Sequence, residues 1–159
     1  MSAVSWRLIE HEDLPMLLKH RNEPDTRGFL EHGEEITPEQ QQEWWQRIVR
    51  PDIDLYRIAK AGGDDIGLIR VQSLDRDKKT AYVGCDIFSH WRGCWLGYPV
   101  FMAACQLAFN KGATGEHLLW VFSDNERAIR VYGKAGFKKC GERDLSGRKY
   151  LKYHRILLA

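Results

Sequence analysis

Several features are scarce in this sequence, and each scarcity excludes something. Its four cysteines, Cys85, Cys94, Cys105 and Cys140, are scattered, with no C-x-x-C pair and no Cys/His ligand spacing. Neither a disulfide framework nor a metal site is therefore expected, and free thiols in a reducing compartment fit better. No stretch approaches about eighteen consecutive apolar residues, and the start M-S-A-V-S-W-R-L-I-E has no basic segment leading into a long apolar one. A cytoplasmic location without membrane contact is the expectation. An excess of one charge sign is also missing. Lys and Arg number 24 against 22 Asp and Glu, interspersed, for a formal net charge of +2. Without a polybasic stripe, nucleic acid is not expected as a partner. Repeats, linkers and low-complexity tracts are absent too, so residues 1–159 read as a single domain large enough to bury a core.

What is present is periodic. Residues 4–9 read as a strand and 10–21 as a helix, which ends at Arg21-Asn22-Glu23-Pro24 because the residue before a proline is pushed from the α region. Residues 26–36 are polar and irregular. Thr37-Pro38-Glu39-Gln40 then starts a second helix, with a threonine cap, proline at the first position and Gln40 placed to complete a capping box; it stops before Pro51. Residues 55–59, 66–74 and 80–88 read as three strands of an antiparallel meander, separated by A-G-G-D-D and D-R-D-K-K turns. An apolar helix over 99–110 follows. The tail reads as a hairpin, 138–144 and 150–158, around Ser146-Gly147-Arg148. Element patterns alone license a mixed α/β or α+β domain.

The densest pattern lies between these last segments. The run Leu118-Leu119-Trp120-Val121-Phe122 reads as a buried strand and breaks into S-D-N-E-R-A-I-R-V-Y-G-K-A-G-F. Ser123 with Glu126 fits a capping box, and Ala128, Ile129 and Tyr132 recur at helical spacing before Gly136 stops the helix. Asn125, Ala128, Tyr132, Lys134, Gly136 and Phe137 spell N-x-x-A-x-x-x-Y-x-K-x-G-F. Upstream, Arg92-Gly93-Cys94-Trp95-Leu96-Gly97 lies between a strand and a helix, where a turn's amides and a helix N-terminus make an anion site. The two motifs at this separation strongly resemble the GNAT superfamily of acyl-CoA-dependent N-acetyltransferases, and the order βααβββαβαββ is that of GNAT folds. The resemblance implies an α+β fold of that type, with a central mixed sheet of about seven strands flanked by four helices.

It also implies acetyl-CoA as cofactor and a set of roles. The turn Arg92, Gly93, Cys94, Trp95, Leu96 and Gly97 would wrap the pyrophosphate. Backbone groups at Ile87 and Phe88 would pair with the pantetheine arm, Asn125 would touch the same arm, and Lys134 belongs to the matched motif. Trp95 stands where the family has its middle glycine. The expectation is that it takes negative φ and lies on the surface or against a partner subunit, as in a homodimer, while Gly93 and Gly97 absorb the unusual torsions. Tyr132 would sit near the thioester sulfur. Acyl transfer to an amine releases a thiolate that needs a proton or hydrogen bond, and a phenol stays protonated at neutral pH. No cysteine has a motif partner arguing for a covalent acyl-enzyme, so direct attack by the amine is expected. For the proton acceptor, Asp86 is the candidate, in the alternation set Tyr82, Gly84, Asp86, Phe88. His32, Glu34, Glu35 and a water chain stay open as alternatives.

The N-terminal third bears on the acceptor. H-R-N-E-P-D-T-R-G-F-L followed by I-T-P-E-Q-Q-Q-E-W-W is similar to the W-R-N-x-P…I-S/T-x-E-x-H…F pattern of GNATs that acetylate small amines. His20 replaces the Trp, and Gln41 falls where such relatives often carry His. The resemblance implies a small-molecule primary amine, foremost a nucleotide-linked amino sugar, against which Phe29, Trp44 and Trp45 would stack. Acetylation of a protein N-terminus or side chain is the alternative within the enzymes. A catalytically silent CoA-binding module is the alternative outside them, and Trp95 is its best support.

Overall fold

The computed structural model describes residues 3–48 and 54–157. In chain order the elements are β1 (Ser5–Leu8), a 3-10 turn (His11–Asp13), α1 (Leu14–Asn22), α2 (Pro24–Arg27), α3 (Pro38–Ile48), β2 (Leu55–Ala61), β3 (Asp64–Asp75), β4 (Thr80–Ile87), a 3-10 turn (Ser89–Trp91), α4 (Gly97–Asn110), β5 (Glu116–Phe122), α5 (Glu126–Lys134), β6 (Lys138–Leu145) and β7 (Arg148–Ile156). The expected end of α3 before Pro51 and the last strand residue, Leu158, lie outside the described residues.

Among the described residues there are five α-helices, one more than the pattern implied. The extra one, α2, has a local cause. Glu23, before Pro24, is extended (φ −64°, ψ 136°) and so ends α1, while Pro24 presets the torsion of a new turn at its first position. The α3 capping box forms as expected: the Thr37 N–H donates to Gln40 Oε1 (2.7 Å) and the Gln40 N–H to Thr37 Oγ1 (3.1 Å). At α5 the cap is Asn125 rather than Ser123. Its side chain accepts from the Ala128 N–H, and Glu126 is already the first helical residue.

The seven strands form one mixed sheet in the order β1-β2-β3-β4-β5-β7-β6. Every pair is antiparallel except β4–β5, which is parallel and registers only at Thr80–Glu116, Ala81–His117 and Tyr82–Leu118. Beyond that point β4 runs on through 83–87 and β5 through 119–122 without pairing to each other. One face of the sheet packs on α4 and α5 through Ile69, Val71, Val83, Phe101 and Leu119. On the other face Leu17 of α1 meets Ile58, Leu68 and Phe88. Burying side chains of this size stabilises by about 1.5–3 kcal/mol each. No helix among the described residues is long and apolar enough to cross a membrane.

Candidate active site

The divergence of β4 from β5 opens a window through the sheet. A cleft of about 830 Å³ occupies it, and residues from both faces line it: Asp86 and Gly84 of β4 from the α1 side, and Tyr132 of α5 from the α4 side. The two residues expected to carry chemistry, Tyr132 and Asp86, therefore open on one space although they belong to opposite layers.

Asp86 is anchored. Its Oδ2 accepts from Arg70 Nη1 at 2.6 Å and lies 3.4 Å from His20 Nε2, while Oδ1 takes no hydrogen bond from the described residues and is open to the cleft. Burial would raise this carboxyl, but the Arg70 charge and the His20 contact outweigh it and hold it at about 2. Burial likewise works against the Arg70 cation, which the Asp86 charge overcomes, so Arg70 stays charged. A carboxylate held this low is a fixed negative charge rather than a ready proton acceptor. Gly84 makes the arrangement possible, because a Cβ there would sit 3.1 Å from Arg70 Nη2 and 3.4 Å from Nε. His20, in the Trp position of the N-terminal pattern, is buried edge-on against Phe88 (5.1 Å), and its Nδ1 has no partner among the described residues.

Tyr132 is fixed by packing. Its ring lies 4.8 Å from that of Phe101 and 6.4 Å from that of Phe137. Its hydroxyl makes no hydrogen bond among the described residues and is not sealed from the cleft. Burial, then the neighbouring Cys85, pushes the phenol above its ordinary value, so it keeps its proton throughout the physiological range. Cys85 beside it is also protonated. Burial and the Asp86 charge push its thiol up to about 12, which removes the thiolate a covalent acyl-enzyme would need.

The turn after β4 differs from expectation in one respect. Trp95 takes positive φ (61°), as does Gly93 (80°), while Gly97 is the first residue of α4. The left-handed torsion thus falls on Trp95 itself, whose ring is 88% exposed, rather than being absorbed by Gly97. Cys94 is exposed as well. Arg92 does not reach outward. Its Nε donates to the Ile87 carbonyl (3.1 Å) and its Nη2 to Thr26 Oγ1 (2.9 Å), tying the turn to β4 and α2. The start of α4, at Leu96, has no side-chain cap. Its Gly97 and Tyr98 N–H groups suit a phosphate, since Pro99 has no N–H and Val100 donates to the Leu96 carbonyl (3.0 Å). The free edge of β4 suits an extended arm: by strand alternation Val83 and Cys85 direct both backbone groups toward β5, and Ile87 its N–H, its carbonyl being taken by Arg92. Phe88 does not contribute, because its N–H donates to Ile66 and its carbonyl accepts from Trp91. The Asn125 side chain caps α5, and Lys134 Nζ lies 4.3 Å from the Tyr98 ring centre.

Of the loop candidates, His32 lines the cleft, Glu34 lines a separate cavity, and Glu35 pairs with Arg27 at 3.8 Å. Phe29 and Trp44 line the cleft, while Trp45 packs on His11 (6.1 Å). Gln41 is buried and donates to the Leu14 carbonyl, a structural role. Sequence reading missed Arg70 and Arg143. Arg70 did leave a signal, a lone cation inside the apolar run I-G-L-I-R-V-Q. Among the described residues no three His, Cys, Asp or Glu side chains converge to hold a metal ion.

Comparison with known proteins places this geometry in context. Spermidine N-acetyltransferase from Vibrio cholerae, in complex with CoA and spermine, superposes with a TM-score of 0.87 at 15% identity, covering 96% of this chain and 95% of that one. The ribosomal L7/L12 alpha-N-protein acetyltransferase RimL, in complex with CoA, superposes with a TM-score of 0.83 at 14% identity, covering 99% and 96%. A domain from Methanocaldococcus jannaschii gives 0.80 at 20% identity, covering 99% and 100%. No curated protein matches the sequence significantly. The model of the Acetyltransferase (GNAT) domain matches residues 5–138, most of the chain. Fold and family match agree, and the chain belongs to the GNAT acetyltransferase family.

Proposed function

We propose that this protein is an acetyl-CoA-dependent N-acetyltransferase of a small primary amine, working by direct attack within a ternary complex. The observation that carries the reading is that Tyr132 and Asp86, from opposite layers, open on one cleft through the β4–β5 window. Acetyl-CoA, when bound, supplies the acetyl group as an activated thioester. The Gly97 and Tyr98 amides, with the turn 92–97, would hold its phosphates, and the free edge of β4 at Val83, Cys85 and the Ile87 N–H would receive its arm. Asn125, at the start of α5, and Lys134, over the Tyr98 ring, would lie beside that arm.

Tyr132, protonated and unbonded, would stabilise the leaving sulfur by donating a hydrogen bond to it while keeping its own proton. Asp86 Oδ1 binds the acceptor's ammonium and orients it toward the window. Because Arg70 holds Asp86 low, the proton lost by the amine passes to cleft water rather than staying on this carboxylate. Spermidine and a protein N-terminus are the acceptors named for the two similar enzymes, and they enter the acceptor panel beside a nucleotide-linked amino sugar, for which Phe29 and Trp44 offer apolar surface.

The test is Tyr132→Phe, which keeps the ring and removes the hydroxyl. We expect kcat to fall by about 10²–10⁴-fold with acetyl-CoA affinity unchanged. Undiminished kcat would assign Tyr132 to packing. Tight CoA binding without turnover of any amine would favour the silent module.

A further inference from the structure

The far wall of the cleft is a cluster of three planar groups that the acetyl-transfer chemistry does not use. Trp120 of β5 lies nearly parallel to Tyr150 of β7 (19°, centroids 5.2 Å apart). The Arg143 guanidinium of β6 sits over the indole at 4.5 Å and near the phenol ring at 5.3 Å. A guanidinium on an aromatic platform is held in plane, and its edge then grips a carboxylate or phosphate as a planar fork. Part of that edge is already gripping one. Arg143 Nη2 donates to Glu31 Oε1 at 2.8 Å, from a loop residue 112 positions away in the chain. Its Nε and Nη1 make no hydrogen bond among the described residues. Both Glu31 and Arg143 line the cleft that Asp86 and Tyr132 share, and both stay more than a third exposed, so the pair is weak and exchangeable.

The charges around the cleft point the same way. Its cations are Arg21, Arg47, Arg70 and Arg143, against Glu31, Glu43 and Asp86. A polycation finds no continuous acidic track there. An acceptor carrying an anion finds Arg143.

We propose that Arg143 is the specificity-determining residue for the acceptor. It binds an anionic group, carboxylate or phosphate, carried by the amine, and Glu31 holds that place in the free protein. This rests on the acetyl-transfer reading above and names the acceptor class within it. Asp86 is engaged by Arg70 and His20 and Arg143 by Glu31, with no hydrogen bond or ion pair between the two sets among the described residues, so the anion and the amine are separate groups of the acceptor.

The experiment compares 4-aminobutyrate, 3-aminopropyl phosphate and the uncharged 4-aminobutyramide at saturating acetyl-CoA, in wild type, Arg143→Gln and Glu31→Gln. Calorimetric titration of 4-aminobutyrate into the CoA-saturated protein gives a readout independent of turnover. We expect both anionic amines to exceed the amide in kcat/KM by about tenfold or more, and their ratio to distinguish carboxylate from phosphate. Arg143→Gln raises KM for the anionic amines about 10- to 100-fold, the weight of a charge-assisted bond, with kcat nearly unchanged and the amide unaffected. Glu31→Gln lowers KM and tightens the titrated affinity. Opposite signs are the signature, since a pair that only braced the loop would be harmed by either change. Equal use of the amide, or KM shifts of the same sign in both variants, overturns the inference. Turnover of spermidine or a peptide amine but none of these three also overturns it and leaves acetyl transfer standing. No turnover of any amine sinks the acetyl-transfer reading itself.

Discussion

Trp95 gives the sharpest test of the cofactor turn. A non-glycine residue at φ 61° strains its own backbone by roughly 1–2 kcal/mol, the clash of Cβ with the following carbonyl. An 88% exposed ring returns little by burial. Trp95→Ala keeps the Cβ and the strain, so it should leave stability nearly unchanged. Trp95→Gly removes the strain but loosens the unfolded chain by about 0.4–1 kcal/mol. The balance makes the glycine variant more stable than the alanine variant by about 0.5–1 kcal/mol, or about 1–4 °C in Tm for a chain of this size. At negative φ the order reverses, because glycine then costs about 0.5–1 kcal/mol relative to alanine. Calorimetric melting of both variants decides it, and a glycine variant less stable than the alanine one would refute the left-handed assignment. The same pair tests the cradle. With the ring directed to solvent, both variants should bind acetyl-CoA with about the wild-type Kd. Tightening by about tenfold, or about 1.4 kcal/mol, would show that the ring obstructs the phosphates.

Two further outcomes follow from the titrating groups. Asp86 is depressed from 3.8 to about 2 in the folded protein, so its contribution is fully present above about pH 4 and is lost as pH falls toward 2. At 1.36 kcal/mol per pH unit this is about 2 kcal/mol. Denaturant unfolding should show Asp86→Asn destabilised by about that much above pH 4, with the gap to wild type closing toward pH 2. A gap constant from pH 6 to pH 2.5 would contradict the Arg70 pairing. Among the thiols, Cys94 and Cys140 are exposed, whereas burial pushes Cys85 and Cys105 up to about 12. A chromogenic disulfide reagent should titrate two cysteines quickly and two slowly, and acetyl-CoA should protect Cys94 but not Cys140. Four fast thiols, or an unprotected Cys94, would count against the turn as the phosphate site.

The sheet and most helix boundaries were legible because each rests on short-range chemistry. The Thr37–Gln40 box and the stop at Gly136, with φ 88°, are decided within four residues of chain. The Tyr132 position was legible because the helical spacing and the GNAT-like motif coincide there. What escaped depends on contacts far apart in sequence. Asp86 could be placed on the cleft face by alternation, but its companion Arg70 is 16 residues away, and the strength of that ion pair decides whether the carboxylate can take a proton. Arg143 and Glu31 are separated by 112 residues, and nothing local marks either of them. The torsion at Trp95 escaped for another reason. A turn can distribute its left-handed residues in several ways, and the flanking Gly93 and Gly97 made the wrong distribution look the cheaper one.

The place where the cofactor and acceptor meet follows from topology. Because β4–β5 is the one parallel pair among the described strands, each of the two strands is followed at its carboxyl end by a helix, α4 and α5, and both helix N-termini face the opening where the strands part. Ligands of open sheets gather at such switch points because strand ends and helix dipoles converge there. The two N-termini are not equivalent. Asn125 caps α5 with its own side-chain oxygen, so part of that anion-binding capacity is already used inside the protein. The α4 terminus has no side-chain cap and no acidic residue in its first turn. On the proposed function, the α4 terminus would therefore be the one to take a diphosphate, and the unpaired edge of β4 would lead its arm toward Tyr132. The same reading would leave the acceptor the opposite mouth of the window, between Asp86 and the Arg143 cluster, with donor and acceptor reaching the phenol from the two sides of the sheet.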